Sequence, residues 1–284
     1  MTARAVPFDA AAIAAITVDP AEIARTVAAI VPATGQAALD DLRLAIACTD
    51  LTTLQGDDTE ARVRLLCARA RAMKVAAVCV YHAMIPAAVE ALAGSDIPVA
   101  AVSAGFPHGL SPLSTRIAEI GESIAAGARE IDIVIRRGHA LTGNCQALYD
   151  EVAAFRAACG PIHMKAILGT GELTDPTMVA RTAWVCMAAG ADFVKTSTGK
   201  EAVNATLPVG VVLMRAVRDW YDATGVRVGV KAAGGIATAD QALDWMALLR
   251  AELGEAWMTP DLFRFGASRL LDDISRELMT DHGN

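Results

Sequence analysis

The chain has 284 residues, of which 54% are hydrophobic and 20% charged, a composition typical of a protein with a large packed core. Its formal net charge is −7 and no basic run is present, which argues against nucleic acid as a partner. The sequence has no apolar run of the roughly 18 residues that a membrane span needs, and no signal-peptide pattern. We therefore expect a cytoplasmic protein that binds neither membranes nor nucleic acid.

The six cysteines contain no C-x-x-C pair, and several lie in apolar runs. We interpret them as reduced core residues, as expected in the cytosol. Cys79, between Val78 and Val80, is interpreted in the same way.

The predicted elements begin with an N-terminal helical extension, residues 1–44, in which Pro20 and Glu22 open a helical stretch over residues 23–30. Eight β-rich runs follow, each with a polar loop and most with an amphipathic helix, and they recur about every 31 residues. The runs are residues 44–48, 76–80, 99–103, 130–135, 162–168, 191–195, 227–231 and 262–266. This repeat predicts a single (β/α)8 barrel over residues 45–284. The rival Rossmann fold would place G-x-G-x-x-G after a strand, and that motif is missing.

Lysine is rare in this chain: of 25 basic residues, 20 are Arg and five are Lys. A retained lysine is a candidate for chemistry that arginine cannot do, because only lysine can lose its proton and become a nucleophile. Lys165, Lys195 and Lys231 lie on predicted strands, and barrel enzymes place their chemistry at the carboxyl ends of strands.

Lys195 is the predicted nucleophile, since neighbouring cations and burial would both lower its pKa. The alternative is a lysine whose amine extends to solvent at the barrel rim. For Lys165, a buried ion pair and a functional role are equally compatible with the sequence.

Two aspartates lie on predicted strands near the lysines. Asp132 lies between Ile131 and Ile133, and if it faces inward it can transfer protons through a water molecule. A salt bridge to Lys165 is the alternative, and the two are compatible. Asp50 ends the first predicted strand and is interpreted as an orienting or structural residue.

Three glycine-bearing loops after the last three strands could bind phosphate through backbone N–H groups. They contain Thr198, Gly199 and Lys200, then Gly234 and Gly235, then Gly266 and Ser268. The five histidines show no metal-ligand spacing, so a metal-dependent enzyme is disfavoured.

Several motifs resemble the deoxyribose-phosphate aldolase family, in order over about residues 45–275, and Leu141-Thr-Gly with Ala147-Leu-Tyr-Asp150 is similar to its longer, animal-like branch. The most specific are Lys195-Thr-Ser-Thr-Gly-Lys200 and Val203-Asn-Ala-Thr206. The others are Asp50-Leu-Thr-Thr-Leu54, Phe106-Pro-His-Gly109, Glu130-Ile-Asp-Ile-Val134, Thr170-Gly-Glu-Leu173, Gly234-Gly-Ile236 and Phe265-Gly-Ala-Ser268.

The resemblance implies reversible cleavage of 2-deoxy-D-ribose 5-phosphate to D-glyceraldehyde 3-phosphate and acetaldehyde, in deoxyribonucleotide catabolism. It implies that Lys195 forms the Schiff base, that Lys231 lowers its pKa, and that Asp132, paired with Lys165, relays protons. The glycine loops with Lys200 and Ser268 match the phosphate-binding set. No cofactor is needed, because the protonated imine accepts the electrons.

The sequence departs from the family pattern at Ala232, Arg269, Gly169, Arg136 and His82, and it ends at Asn284 without a terminal tyrosine. Arg269 and Gly169 allow a Schiff-base aldolase with a different or unphosphorylated aldehyde. A non-catalytic sugar-phosphate-binding barrel is a further alternative, but it predicts loss of Lys195 or Lys231. Whether the chain forms a homo-oligomer is left open.

Overall fold

A computed structural model describes residues 6, 8–173 and 175–280 of the chain. Its eight strands form one closed barrel in which neighbouring strands are parallel and follow chain order. The strands are β1 (Thr49–Thr52), β2 (Ala77–Tyr81), β3 (Val99–Ser103), β4 (Glu130–Val134), β5 (His163–Ile167), β6 (Phe193–Lys195), β7 (Gly229–Ala233) and β8 (Phe263–Ala267). The predicted (β/α)8 barrel is therefore confirmed.

Helices surround the barrel and also precede it. They are α1 (Ala10–Ala15), α2 (Pro20–Ala28), α3 (Gly35–Ala47), α4 (Glu60–Met73), α5 (Ile85–Ala91), α6 (Leu113–Ala125), α7 (Arg137–Leu141), α8 (Cys145–Cys159), α9 (Pro176–Ala188), α10 (Leu207–Thr224), α11 (Ala239–Leu253) and α12 (Leu270–Thr280). Of the three helices before β1, α1 packs on α9, α2 on α10, and α3 on α11 and α12. The domain boundary after residue 44 stays a prediction.

The prediction of a first strand at residues 44–48 was wrong. These residues belong to the end of α3 and its C-cap, and β1 begins at Thr49. Leu42, Ala45 and Cys48 are buried three residues apart, which is helical spacing. A short apolar run fits a buried helix as well as a buried strand, so its pattern alone could not decide.

The barrel interior has two unlike sides. Small apolar side chains of β2 and β3 form a cluster with Leu54, namely Ala77, Cys79, Ala100 and Val102. Charged side chains from β1 and from β4 to β8 fill the rest. The apolar side excludes water from the charged side, which makes the charges there interact strongly.

Candidate active site

Asp132 and three lysines from adjacent strands meet inside the barrel. The register sets Asp132 of β4 beside Lys165 of β5, and Lys195 of β6 beside Lys231 of β7. Lys195 Nζ and Lys231 Nζ both donate to Asp132 Oδ2, at 2.7 and 2.8 Å, and Lys165 Nζ donates to Oδ1 at 3.0 Å. The structure thus brings together the four residues that the sequence selected for amine chemistry.

Further charges surround these four residues. Lys231 Nζ donates to Asp50 Oδ2 at 2.5 Å, and Arg264 of β8 donates to Asp50 Oδ1 at 2.5 Å and to Glu130 Oε1 at 3.1 Å. Lys165 also donates to Glu130. Asp50 is fully buried within β1, and not at the strand end as predicted, because the strand starts later in the chain.

Sequence reasoning did not select Glu130 or Arg264, although each carried a signal. Glu130 lies two residues before Asp132, so both side chains face the same way from one strand. Arg264 lies between Phe263 and Phe265 in a buried strand, where an unpaired charge would be very costly. A charge in such a strand indicates a buried partner, but the sequence does not identify the partner.

Lys195 differs electrostatically from the other two lysines. Burial lowers the pKa of its ammonium group, Asp132 opposes this effect, and the charge of Lys231 lowers the pKa further, with a net lowering. For Lys165 and Lys231, burial also lowers the pKa, but nearby carboxylates outweigh it and both pKa values are raised. Of these three lysines, Lys195 therefore gives up its proton most readily.

Asp132 is held in its ionised form. Burial alone would raise its pKa, but Lys165, Lys195 and Lys231 together hold the pKa well below its usual range. An ionised carboxylate within hydrogen-bonding distance of two amines can accept a proton and return it.

Cys79 is fully buried on β2, in the apolar cluster of the interior. Burial raises the pKa of its thiol, so it is neutral near pH 7. It helps to exclude water from the lysines.

The predicted phosphate-binding residues line one cavity with Lys195. The cavity has a volume of about 230 Å³. Its lining includes Lys195, Thr198, Gly199, Lys200, Gly234, Gly235, Gly266, Ser268 and Arg269. Lys200 and Arg269 are exposed, and within the described ranges neither side chain has an ion-pair partner. Two unpaired cations next to a buried amine suit a substrate with an anionic end.

Glu201 shapes the loop that follows β6. Its carboxylate accepts hydrogen bonds from the Thr198 N–H at 3.0 Å and the Thr198 hydroxyl at 2.7 Å. Its carbonyl oxygen accepts from Asn204 Nδ2 at 2.9 Å. Thr198 therefore stabilises the loop, and its predicted contact with phosphate stays a prediction.

A family model described as "DeoC/LacD family aldolase" matches residues 44–273. The chain belongs to the DeoC/LacD aldolase family. It is 51% identical over 252 residues to the deoxyribose-phosphate aldolase of Mus musculus, covering 82% of this chain and 79% of the relative. With that of Bos taurus the identity is 50% over 252 residues, with the same coverage.

The solved structure of deoxyribose phosphate aldolase from Aeropyrum pernix superposes on this chain with a TM-score of 0.70. It is 22% identical and covers 93% of this chain and 100% of its own, which supports the barrel fold alone.

The departures from the DeoC/LacD pattern have different structural settings. Arg269 lines the cavity. Gly169 has φ +69°, and a Cβ there would meet the side chain of Arg137. His82 lies at the exposed surface, 3.3 Å from Glu119, and Ala232 is buried in β7.

The Arg136 N–H donates to Glu151 Oε1 at 2.8 Å. The departure predicted at the C-terminal end, residues 281–284, lies outside the described residues.

Gly171 shows why the family's Thr-Gly-Glu-Leu segment needs glycine. A Cβ at Gly171 would overlap the carbonyl oxygen of Val203 and lie 2.8 Å from its carbon. Gly171→Ala must therefore push the loop after β5 away from the loop that carries Lys200. We expect a loss of about 1–3 kcal/mol in unfolding free energy and about tenfold weaker binding of inorganic phosphate.

Thermal unfolding and calorimetric titration with phosphate would measure both effects. Gly121→Ala in α6 is the matched control, because a Cβ there meets nothing within 4 Å, and it should be neutral or slightly stabilising. If Gly171→Ala bound phosphate as tightly as the wild type, the predicted phosphate binding by the loop that carries Lys200 would be wrong.

Among the described residues, no group of three or more His, Cys, Asp or Glu side chains could hold a metal ion. No described helix is long and apolar enough to cross a membrane.

Proposed function

We propose that this chain is a deoxyribose-phosphate aldolase that forms a Schiff base through Lys195. The reaction is the reversible cleavage of 2-deoxy-D-ribose 5-phosphate to D-glyceraldehyde 3-phosphate and acetaldehyde. The proposal rests on one observation. The buried amine of Lys195, whose pKa is lowered, lines the same cavity as Lys200 and Arg269, two cations without an ion-pair partner among the described residues. The names of the mammalian relatives support the same reaction.

The amine begins the reaction by attacking the aldehyde carbon of the open-chain sugar. Neutral Lys195 Nζ adds to C1, and uptake of one proton with loss of water gives a protonated imine. The C3 hydroxyl then loses its proton, the C2–C3 bond breaks, and its electron pair moves into the imine to form an enamine. Glyceraldehyde 3-phosphate leaves. Protonation of the enamine at C2 and hydrolysis of the imine release acetaldehyde and regenerate the amine.

Asp132 and Lys231 are the groups proposed to move protons in these steps. Asp132 Oδ2 accepts hydrogen bonds from both Lys195 and Lys231, so a proton can pass between the two amines through one oxygen atom or through a bound water molecule. Lys165 and Asp50 are proposed to hold this pair in place, since each contacts one of its members.

Borohydride trapping tests the proposal directly. Incubation with acetaldehyde and borohydride should give a protein with one reduced two-carbon adduct, which peptide mass spectrometry should locate on Lys195. An adduct at another lysine, or none, would contradict the proposed nucleophile. Formation of glyceraldehyde 3-phosphate from 2-deoxyribose 5-phosphate tests the substrate separately.

Lys200 and Arg269 are proposed to bind the phosphate group. We expect Lys200→Met and Arg269→Ser each to raise KM for deoxyribose 5-phosphate by roughly 10- to 100-fold, the effect of losing one charge-assisted hydrogen bond. The KM for unphosphorylated deoxyribose should not change. Steady-state kinetics with both sugars would measure the difference.

Arg276→Ser is the matched control, because Arg276 is an exposed arginine of α12 that pairs with Asp273. If Lys200→Met and Arg269→Ser changed KM equally for both sugars, the result would favour the alternative, an aldolase for an unphosphorylated aldehyde. The non-catalytic alternative is disfavoured because both Lys195 and Lys231 are present.

We propose a cytoplasmic enzyme of deoxyribonucleotide catabolism that uses the lysine imine and no metal. All six cysteines are free in the described structure, as suits a reducing compartment. A homo-oligomer is also proposed, since the Aeropyrum pernix relative is described as tetrameric.

A further inference from the structure

The buried charges of the barrel do not balance. In the described part of the chain, the cluster has four cations, Lys165, Lys195, Lys231 and Arg264, and three carboxylates, Asp50, Glu130 and Asp132. Each of the seven is at most 5% exposed. If all were ionised, one positive charge would remain without a counterion. Because an uncompensated buried charge is costly, the cluster favours loss of one proton.

The contacts identify the group that loses it. Lys165 contacts all three carboxylates, and Lys231 contacts two of them, Asp50 and Asp132. Within the described residues, Lys195 contacts Asp132 alone, and it shares that carboxylate with the other two lysines. The Lys195 proton is therefore the least stabilised.

Arg264 is the member that cannot give up its charge. A guanidinium group stays protonated in proteins. Its Nη1 donates to Asp50 at 2.5 Å, its Nη2 donates to Glu130 at 3.1 Å, and its Nε donates to the Pro260 carbonyl oxygen. These contacts fix the position of Arg264. Asp50 and Glu130 therefore balance the positive charge of Arg264 as well as the charges of the lysines.

We propose that Arg264 is a positioning residue that keeps Lys195 neutral, by adding a permanent fourth cation to a cluster with three carboxylates. Arg264 acts on Lys195 through Asp50 and Lys231, and not by direct contact with substrate. The inference rests on the proposed function and deepens it, because it explains how the nucleophile becomes available near neutral pH.

Other titratable groups face the cluster and bear on its charge. Burial raises the pKa of Cys48, which precedes β1, to about 12 and also raises that of Cys79 on β2, so neither thiol adds charge near pH 7. His163 of β5 has Nδ1 at 3.7 Å from Glu130 Oε1, and a proton there would add positive charge.

Charge-changing variants should shift the pH midpoint of imine formation in opposite directions. Arg264→Gln leaves three cations and three carboxylates, so Lys195 should hold its proton and the midpoint should rise by about one pH unit or more. Asp50→Asn leaves four cations and two carboxylates, and the midpoint should fall. The double variant restores one excess cation and should return the midpoint toward that of the wild type.

A pulse experiment measures the midpoint. Each variant is exposed briefly to acetaldehyde at a chosen pH and then transferred into borohydride at one common pH, so that the reduction step is the same throughout. The fraction of Lys195 carrying the adduct is measured by mass spectrometry. Arg116→Gln is the matched control, because Arg116 is a buried arginine that pairs with Glu151 at 2.5 Å and not with the lysines. It should lower stability and leave the midpoint unchanged.

The outcomes separate the two proposals. If the wild type forms no adduct on Lys195, the proposed function fails. If adducts form but Arg264→Gln keeps the wild-type midpoint, the inference about Arg264 is overturned while the nucleophile stands. A lower rate at every pH with an unmoved midpoint would also overturn it, since that is the effect of a purely structural role. If Arg264→Gln does not fold, Asp50→Asn serves as the test. A midpoint of imine formation in Asp50→Asn that is unchanged or higher than in the wild type then overturns the inference.

Discussion

Lys195→Arg is expected to lose all borohydride trapping with acetaldehyde and to lower kcat by at least about 10⁴-fold, the scale seen when a covalent nucleophile is removed. Arginine places a permanent positive charge beside Asp132, and it cannot become a neutral amine that attacks a carbonyl. Because Asp132 keeps a cationic partner in the variant, the barrel should still fold, but with lower stability, since the buried cluster then carries one positive charge that it cannot release. Circular dichroism and thermal unfolding would show this.

Lys74→Arg is the control for Lys195→Arg. Lys74 is an exposed lysine at the end of α4, and its replacement should leave trapping and turnover unchanged. Turnover that persists in Lys195→Arg would overturn the assignment of the nucleophile. An adduct that appeared instead on Lys231 would show that the second amine can replace the first.

Asp132→Asn should separate imine formation from turnover. The variant retains the amine of Lys195, so trapping should persist, but it lacks the carboxylate that accepts hydrogen bonds from both amines and is proposed to accept their protons. We expect kcat to fall by about 10²- to 10⁴-fold, the usual contribution of a general acid or base. Rates of trapping and of product formation, measured on the same preparation, would show the separation.

The same substitution should also destabilise the fold. It leaves three buried lysines that have lost their shared carboxylate, at a cost of about 3–5 kcal/mol. The pKa of Lys195 is already lowered in the wild type and should fall further below its unfolded value without Asp132, so the folded state would bind fewer protons. Stability should therefore increase as pH rises toward the unfolded lysine pKa of about 10.4. Denaturant unfolding at pH 7 and pH 9 would measure the difference.

Asp192→Asn is the matched control, because Asp192 is a buried aspartate that pairs with Arg156 at 2.8 Å. It should lose stability without separating trapping from turnover. If Asp132→Asn kept wild-type turnover, the proton-relay role of Asp132 would be wrong.

The sequence alone was sufficient to predict the barrel and much of the candidate site. The regular spacing of β-rich runs depends on local propensity and on the pattern of buried residues. Both can be recognised from the few residues of one strand and its loop. The scarcity of lysine against arginine singled out Lys165, Lys195 and Lys231 without any knowledge of contacts. Their positions on strands implied that their amines would meet, because strands of a closed barrel share one interior.

The tertiary structure decided the position of β1, the partners of each charge and the direction of each pKa. Arg264 and Asp50 are 214 residues apart in the chain, and only the closure of β8 onto β1 brings them together. Local pattern cannot encode such a pair, since it depends on the register of every strand between them. For the same physical reason, the sequence could predict Lys195 as the nucleophile, but the excess of one buried cation became visible only when all seven charges were placed.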